Sequence, residues 1–204
     1  MGAVDQVQML RVARPVNSLE QLFPVFTPAS IFESGRWRGP FERLGASGVG
    51  LTWAIDAGRG GIQYLDDRTS RRWEIDGIDW RTAAMRNLRR QSGKLYTHAL
   101  GHRRGHAYGI AMMHADGWGP SRLMLHRELQ SIFPYGYRVA IPERSCGVAV
   151  ADNLAPDEQK AIEELVQTCF LNGARPLSPG IFGAHEILSS WSMSREHLRF
   201  RVQV

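Results

Sequence analysis

The spacing of apolar residues along this chain changes period several times, and each change marks an element. The run GLTWAIDA at Gly50–Ala57 alternates apolar and polar positions, the pattern of a strand with one covered face. A glycine-rich turn at Gly58–Gly61 follows, then a second strand at Ile62–Asp67 and a third near Arg72–Ile75, giving an antiparallel meander. From Asp79 to Gln91 the period lengthens to that of a helix. Asp79 is placed to cap it, Gly93 to stop it, and Trp80, Ala84 and Leu88 form its inward stripe. Lys94–Leu100 and Ala107–His114 read as strands joined by the turn GHRRGH. Pro120 opens a helix in which Leu125, Leu129, Ile132 and Phe133 share a face. Tyr137–Pro142 and Gly147–Ala151 are strands with a tight connection at Glu143–Cys146. Pro156 then opens the clearest helix of the chain. Its stripe is Ile162, Leu165, Val166, Cys169 and Phe170, and Gly173 ends it.

The ends are less patterned. Asn17–Phe26 reads as a short helix capped by Asn17 or Ser18 and limited by Pro24 and Pro28. Glu33–Gly48, rich in Gly and Arg, reads as a loop, static or a flap. Beyond Pro176 the chain is irregular, with a short final strand at Leu198–Val202. Most strand connections are too short for parallel crossovers, so the expected class is α+β: a mainly antiparallel sheet with two to four helices packed on it. A chain of 204 residues fits a single domain, 1–204, with a division into an N-terminal subdomain 1–78 and a C-terminal core 79–204 as the alternative.

Several segments resemble one family in order and spacing. They are AAMRNL at 83–88, DGWGPSRLML at 116–125, RVAIPERS at 138–145, GVAVAD at 147–152 and ARPLSPGIF at 174–182, with GLTWAIDAGRGGIQYL at 50–65 fitting more loosely. Together they look like the YtpQ-like bacterial proteins, a domain of unknown function. Two features depart from that pattern. Ser145 stands where the family tends to have an acidic residue, and the basic GHRRGH insertion is peculiar to this chain. The resemblance implies a fold and a cytoplasmic bacterial origin, and no activity.

Composition adds little to the class and something to the chemistry. Apolar residues make up 43% and charged residues 22%, ordinary for a globular protein. The N-terminus lacks the apolar core of a secretory signal, and no apolar run approaches the ~20 residues of a membrane span, so a cytoplasmic protein without membrane association is expected. Two cysteines, Cys146 and Cys169, are too few for a disulfide framework. Cys169 falls on a helix's apolar face, and Cys146, between two strands, has no base nearby, so both are read as structural. The net charge is +5, and of 25 basic residues only Lys94 and Lys160 are lysines. The densest basic run, Arg86 to Arg104, suits an acidic partner or nucleic acid, although a solvated face is the commoner meaning of such a run.

The preferred site is the turn Asp116-Gly117-Trp118-Gly119. Its glycines allow close backbone approach, and the helix start at Ser121–Arg122 offers free N–H groups to an anion. Arg122 adds charge, Trp118 a stacking surface, and Arg144 joins them from the end of a neighbouring strand. Asn87, on a buried helix face, is either a structural clasp or a site residue. The plainer reading of the turn is that Ser121 caps and Arg122 pairs with Asp116 or Glu143. His98, His102 and His106 are four apart, but Gly101 and Gly105 interrupt them and Arg103 and Arg104 repel a cation, so no metal site is expected. No P-loop, dinucleotide fingerprint or nucleophile elbow is present, and no cofactor is implied.

Three functions remain open, and nothing in the motifs decides for or against catalysis. The first is a non-enzymatic protein-binding module, an adaptor or immunity-type inhibitor, using its positive charge and the loop tryptophans Trp37 and Trp191. The second is a small hydrolase or transferase holding a phosphorylated or carboxylated ligand at the 116–122 turn. The third is nucleic-acid binding through 86–104.

Overall fold

The computed structural model describes residues 18–187 apart from 34, 46, 59 and 60. Trp191 and the expected strand at Leu198–Val202 lie outside the described residues. A 3₁₀ turn at Ser18–Gln21 leads directly into strand β1 (Leu22–Pro28), where the sequence predicted a helix. The run Leu22–Phe26 is apolar throughout, so its periodicity does not separate a buried strand from a helix. Pro24, which has no N–H to donate, is tolerated because β1 is an edge strand that pairs only with β3.

After a single turn of helix, α1 (Ser30–Glu33), the segment expected as a loop or flap is tied down. It contains strand β2 (Phe41–Arg43), which pairs with β3 (Val49–Gly58). Strand β4 (Gly61–Tyr64) continues along the same side of β3 beyond β2, so the ten-residue β3 is the spine of this first sheet. The expected third strand near Arg72–Ile75 is instead the end of helix α2 (Asp67–Ile75). Asp66 caps it, its carboxylate accepting the Thr69 N–H at 2.7 Å. Helix α3 (Trp80–Gln91) is capped by Asp79 as predicted and packs against β1.

The second sheet has the order β5-β6-β8-β7-β9, from β5 (His98–Arg103), β6 (His106–Met112), β7 (Tyr137–Glu143), β8 (Cys146–Ala151) and β9 (Ile181–Gly183). Every strand pair in both sheets is antiparallel. The fold is therefore α+β, with two antiparallel sheets in place of the single one expected. The predicted GHRRGH turn shrinks to Arg104–Gly105, the strands running to the Arg103–His106 pair. The helix predicted from Pro120 through Phe133 is two pieces, a 3₁₀ helix at Pro120–Met124 and α4 (His126–Ile132), broken at Leu125. Leu123, Met124 and Leu125 are all buried, and three consecutive residues cannot share one face of a straight α-helix.

The second sheet is covered on both sides. Ile110, Met112, Val139, Ile141 and Ala149 face a large core that also takes in Leu22, Trp53, Trp80 and Leu88, so one core spans residue 78. Ala140, Cys146, Val148 and Val150 face the other way, against Ile162 and Val166 of helix α5 (Pro156–Asn172). Strand alternation puts successive side chains on opposite faces, which is why Cys146 is buried and not exposed. No helix among the described residues is long and apolar enough to cross a membrane.

Candidate functional site

The turn after β6 is shaped by its own sequence. Asp116 accepts the Trp118 N–H at 2.9 Å, closing a turn that needs Gly117 at φ +76°. Gly119 lies so close to β6 that an added Cβ would stand 2.3 Å from the Met112 carbonyl oxygen. Pro120 then starts the 3₁₀ helix. This local geometry turns the next side chains inward.

Arg122 is only 1% exposed. Its guanidinium donates to both oxygens of Asp116, at 2.6 and 3.1 Å, and to the Gln91 carbonyl at 3.1 Å. Arg122 therefore does not offer its charge to a ligand, because Asp116 neutralises it six residues upstream. Burial alone would raise the Asp116 pKa. The Arg122 hydrogen bond, the Trp118 N–H and the nearby Arg122 and His114 charges outweigh it and hold the carboxyl below its ordinary value. Ser121 is buried too, donating to the Pro24 carbonyl at 2.6 Å, so it clasps β1 and does not cap the helix toward solvent. Trp118 is 2% exposed and stacks on Phe23 with ring centroids 4.5 Å apart, leaving no free stacking face of the kind predicted. Asn87 donates to the Leu19 and Leu22 carbonyls at 2.8 and 3.0 Å, the structural clasp of the two readings.

Three of the predicted residues, Asp116, Trp118 and Arg144, do meet, on the wall of a cleft of roughly 300 Å³ between the two sheets. Asp56, Gly61 and Ile62 line it from the first sheet. Ala115–Trp118, the Glu143–Ser145 turn, and Ala174 and Arg175 line it from the second sheet and the connection after α5. Asn87, Ser121 and Arg122 are not among its lining residues.

The chemistry of the cleft is set by which charges are already committed. Glu143, 8% exposed, accepts the Ser145 N–H at 2.6 Å, the Arg175 N–H at 3.2 Å and the Ser145 hydroxyl. Asp56 accepts the Gly58 N–H at 2.8 Å. With Asp116 held by Arg122, each carboxylate of the cleft already has an internal donor. Among the described residues the cations do not have matching acids. Arg144 donates to the Tyr64 hydroxyl at 2.8 Å, a neutral partner, and lies 5.8 Å from that ring's centroid. Arg175 is exposed and makes no ion pair among the described residues. The cleft thus presents two guanidinium groups with donors to spare, suited to a carboxylate or phosphate.

Tyr64 and Arg175 were missed by sequence reasoning. Arg175 lay within a segment noted for its resemblance, but nothing local distinguished it, and Tyr64 is eighty positions from Arg144. Trp37 is not free in its loop. It packs edge-on against Tyr64 and Phe32, at 5.0 and 5.2 Å.

The basic run 86–104 is divided between α3 and the β5–β6 hairpin. Arg89 pairs with Glu128 at 2.5 Å, and Arg103 with Glu158 at 3.2 Å. His98, His102 and His106 lie on that hairpin. Among the described residues no group of three His, Cys, Asp or Glu side chains is arranged to hold a metal ion. No protein-family model matches the chain, and neither does a curated protein or a solved structure.

Proposed function

We propose that this protein is a non-enzymatic binding module of the adaptor or immunity type, working in the cytoplasm, which seats an acidic side chain of a protein partner in the cleft between its sheets. The pair Arg144 and Arg175 carries this reading, because the carboxylates around it are already held by internal donors. The cleft is large enough to take an acidic side chain. Small-molecule sites run from about 300 to 1,000 Å³, and this one lies at the bottom of that range. Catalysis is less well supported. The Ser145 hydroxyl does meet a carboxylate, but Glu143 also accepts two backbone N–H groups, which makes it a clasp for the turn and a poor base. The likeness to YtpQ-like proteins remains a proposal about ancestry that rests on the segments at 83–88, 116–125, 138–145, 147–152 and 174–182, with 50–65 fitting more loosely.

The test is a pull-down with the wild-type chain and with Arg144→Glu/Arg175→Glu, both side chains being outside the core. A stoichiometric protein partner identified by mass spectrometry should be lost in the double variant and regained when the partner's facing acid is changed to arginine. Retention at full stoichiometry by a folded double variant would remove the cleft from the interface.

A further inference from the structure

A second groove, of roughly 520 Å³, opens at the other end of the second sheet. Strand β7 runs from this groove, near Gly136, to the cleft at Glu143, so the two sites are separated by about 20 Å of strand. One wall is the tip of the β5–β6 hairpin with Arg103, Arg104 and His106. The other is the Phe133–Gly136 turn before β7. No aspartate or glutamate is among the described residues lining it, although the Asp152 carboxylate lies close against the backbone of Gly136.

The basic groups differ in availability. Arg103 is tied to Glu158 at 3.2 Å and to the Asn153 carbonyl at 2.8 Å. Arg104 and His106 are exposed and make no ion pair or side-chain hydrogen bond among the described residues. Opposite them Tyr135 is 87% exposed, a large ring left in water beside the groove.

The backbone gives an independent sign that Arg104 is placed there for a use other than folding. It occupies the two-residue turn Arg104–Gly105 with φ +51°, followed by Gly105 at φ +84°. Two positive φ values define the hairpin turn that prefers Asn-Gly, and Arg104 is the one non-glycine residue with positive φ among those described. Asparagine would fit this turn at less steric cost. Strained positions of this kind concentrate at functional sites.

We propose that this groove binds a nucleotide unit, with the base stacked on Tyr135 and the phosphate held by Arg104 and His106. Cations beside an open aromatic ring are the combination that holds single-stranded nucleic acid, and a free nucleotide offers the same chemistry. Duplex does not, because its bases are already stacked.

The experiment measures binding of a fluorescein-labelled 12-nucleotide oligothymidylate by anisotropy, and of AMP by calorimetry, at 50 and 200 mM salt. The proteins are wild type, Arg104→Asn, Tyr135→Ala and the remote control Arg175→Ala, each first checked for cooperative thermal unfolding. Arg104→Asn should keep or raise Tm, weaken binding at least tenfold and flatten the salt dependence. Tyr135→Ala should weaken binding similarly and leave the salt slope unchanged. Arg175→Ala should leave binding unchanged. AMP bound as tightly as the oligomer assigns the groove to free nucleotides, and a large gain for the oligomer assigns it to single strands. Absence of binding for both probes overturns the proposal. So does binding insensitive to Tyr135→Ala, which would leave only a site for simple anions, or binding lost in Arg175→Ala, which would move the nucleotide to the other cleft.

Discussion

Replacing Asp116 by asparagine keeps the acceptor for the Trp118 N–H and removes the charge that neutralises Arg122. In the folded protein Arg122 is 1% exposed and Asp116 22%, and the two are joined by charge-assisted hydrogen bonds of 2.6 and 3.1 Å. The guanidinium would then keep only the Gln91 carbonyl and a neutral amide oxygen. Removing one member of a buried pair costs about 3–5 kcal/mol. The amide retained here and the water that reaches the Asp116 position bring the expected loss to about 2–3 kcal/mol. With a urea m-value of about 2 kcal/mol/M for a chain of this size, the midpoint should fall by about 1–1.5 M. Asp116→Asn/Arg122→Met should recover to within about 1 kcal/mol of wild type, since an apolar pair avoids burying charge. The pH dependence has a definite sign. The folded carboxyl titrates below its ordinary value of 3.8, so its stabilisation is present above that pH and is lost as pH falls through the lower folded value. Asp116→Asn should lack that acid limb. A single substitution costing under about 0.5 kcal/mol, or a double variant as weak as the sum of its singles, would show that the pair does not hold the turn.

Asn87→Ala should cost about 2 kcal/mol in urea unfolding, because it strands the Leu19 and Leu22 carbonyls that the amide joins to α3. A neutral result would mean that water replaces the clasp. Arg104→Asn should stabilise by about 1 kcal/mol, a Tm rise of roughly 2–4 °C, by relieving the positive φ of +51°. A fall in Tm would contradict the turn assignment. Burial, with Cys169 and Glu143 nearby, pushes the Cys146 thiol from 9.0 to about 12, so a disulfide reagent at pH 8 should leave Cys146 unmodified until the protein unfolds. Because the folded value is the higher one, its contribution to stability is present below pH 9.0 and is lost as pH rises toward 12. A Cys146→Ala variant should show a flatter alkaline limb in urea unfolding measured from pH 8 to 10.5.

The elements legible in the sequence were those whose signal is local and redundant. Helix α3 had a capping aspartate and a stripe of Trp80, Ala84 and Leu88, and all three stripe residues are buried. The β7–β8 hairpin had two apolar runs separated by a tight turn, and helix α5 had Pro156 at its start. The misread segments were short ones whose periodicity is ambiguous. Leu22–Phe26 is uniformly apolar because β1 packs against α3 and also against the 3₁₀ helix at Pro120–Met124, a fact of tertiary structure. At Arg72–Ile75 four residues are too few for periodicity to separate strand from helix, although Asp66 and Thr69 spell a helix start. The division into two sheets was out of reach, because pairing partners are not encoded by periodicity.

The candidate site follows a similar rule about charge. Arg122 and Arg144 look alike in sequence, each in or beside a turn and near an acid. Arg122 finds its counter-charge in Asp116, close enough along the chain for the pair to be foreseen, and is thereby withdrawn into the core. Among the described residues the Arg144 guanidinium finds only the hydroxyl of Tyr64, eighty positions away, which orients it without cancelling its charge. An arginine neutralised by a nearby acid is a building element, as Arg89 is with Glu128 and Arg103 with Glu158. An arginine held by a neutral partner, or by none, keeps its attraction for an external anion. Arg144, Arg175 and Arg104 belong to that second group, and the fold delivers them to two clefts at opposite ends of one strand. Proximity in sequence to a turn or helix start therefore says less about a binding role than whether the fold supplies a counter-charge, and it is on that distinction that both proposed sites stand.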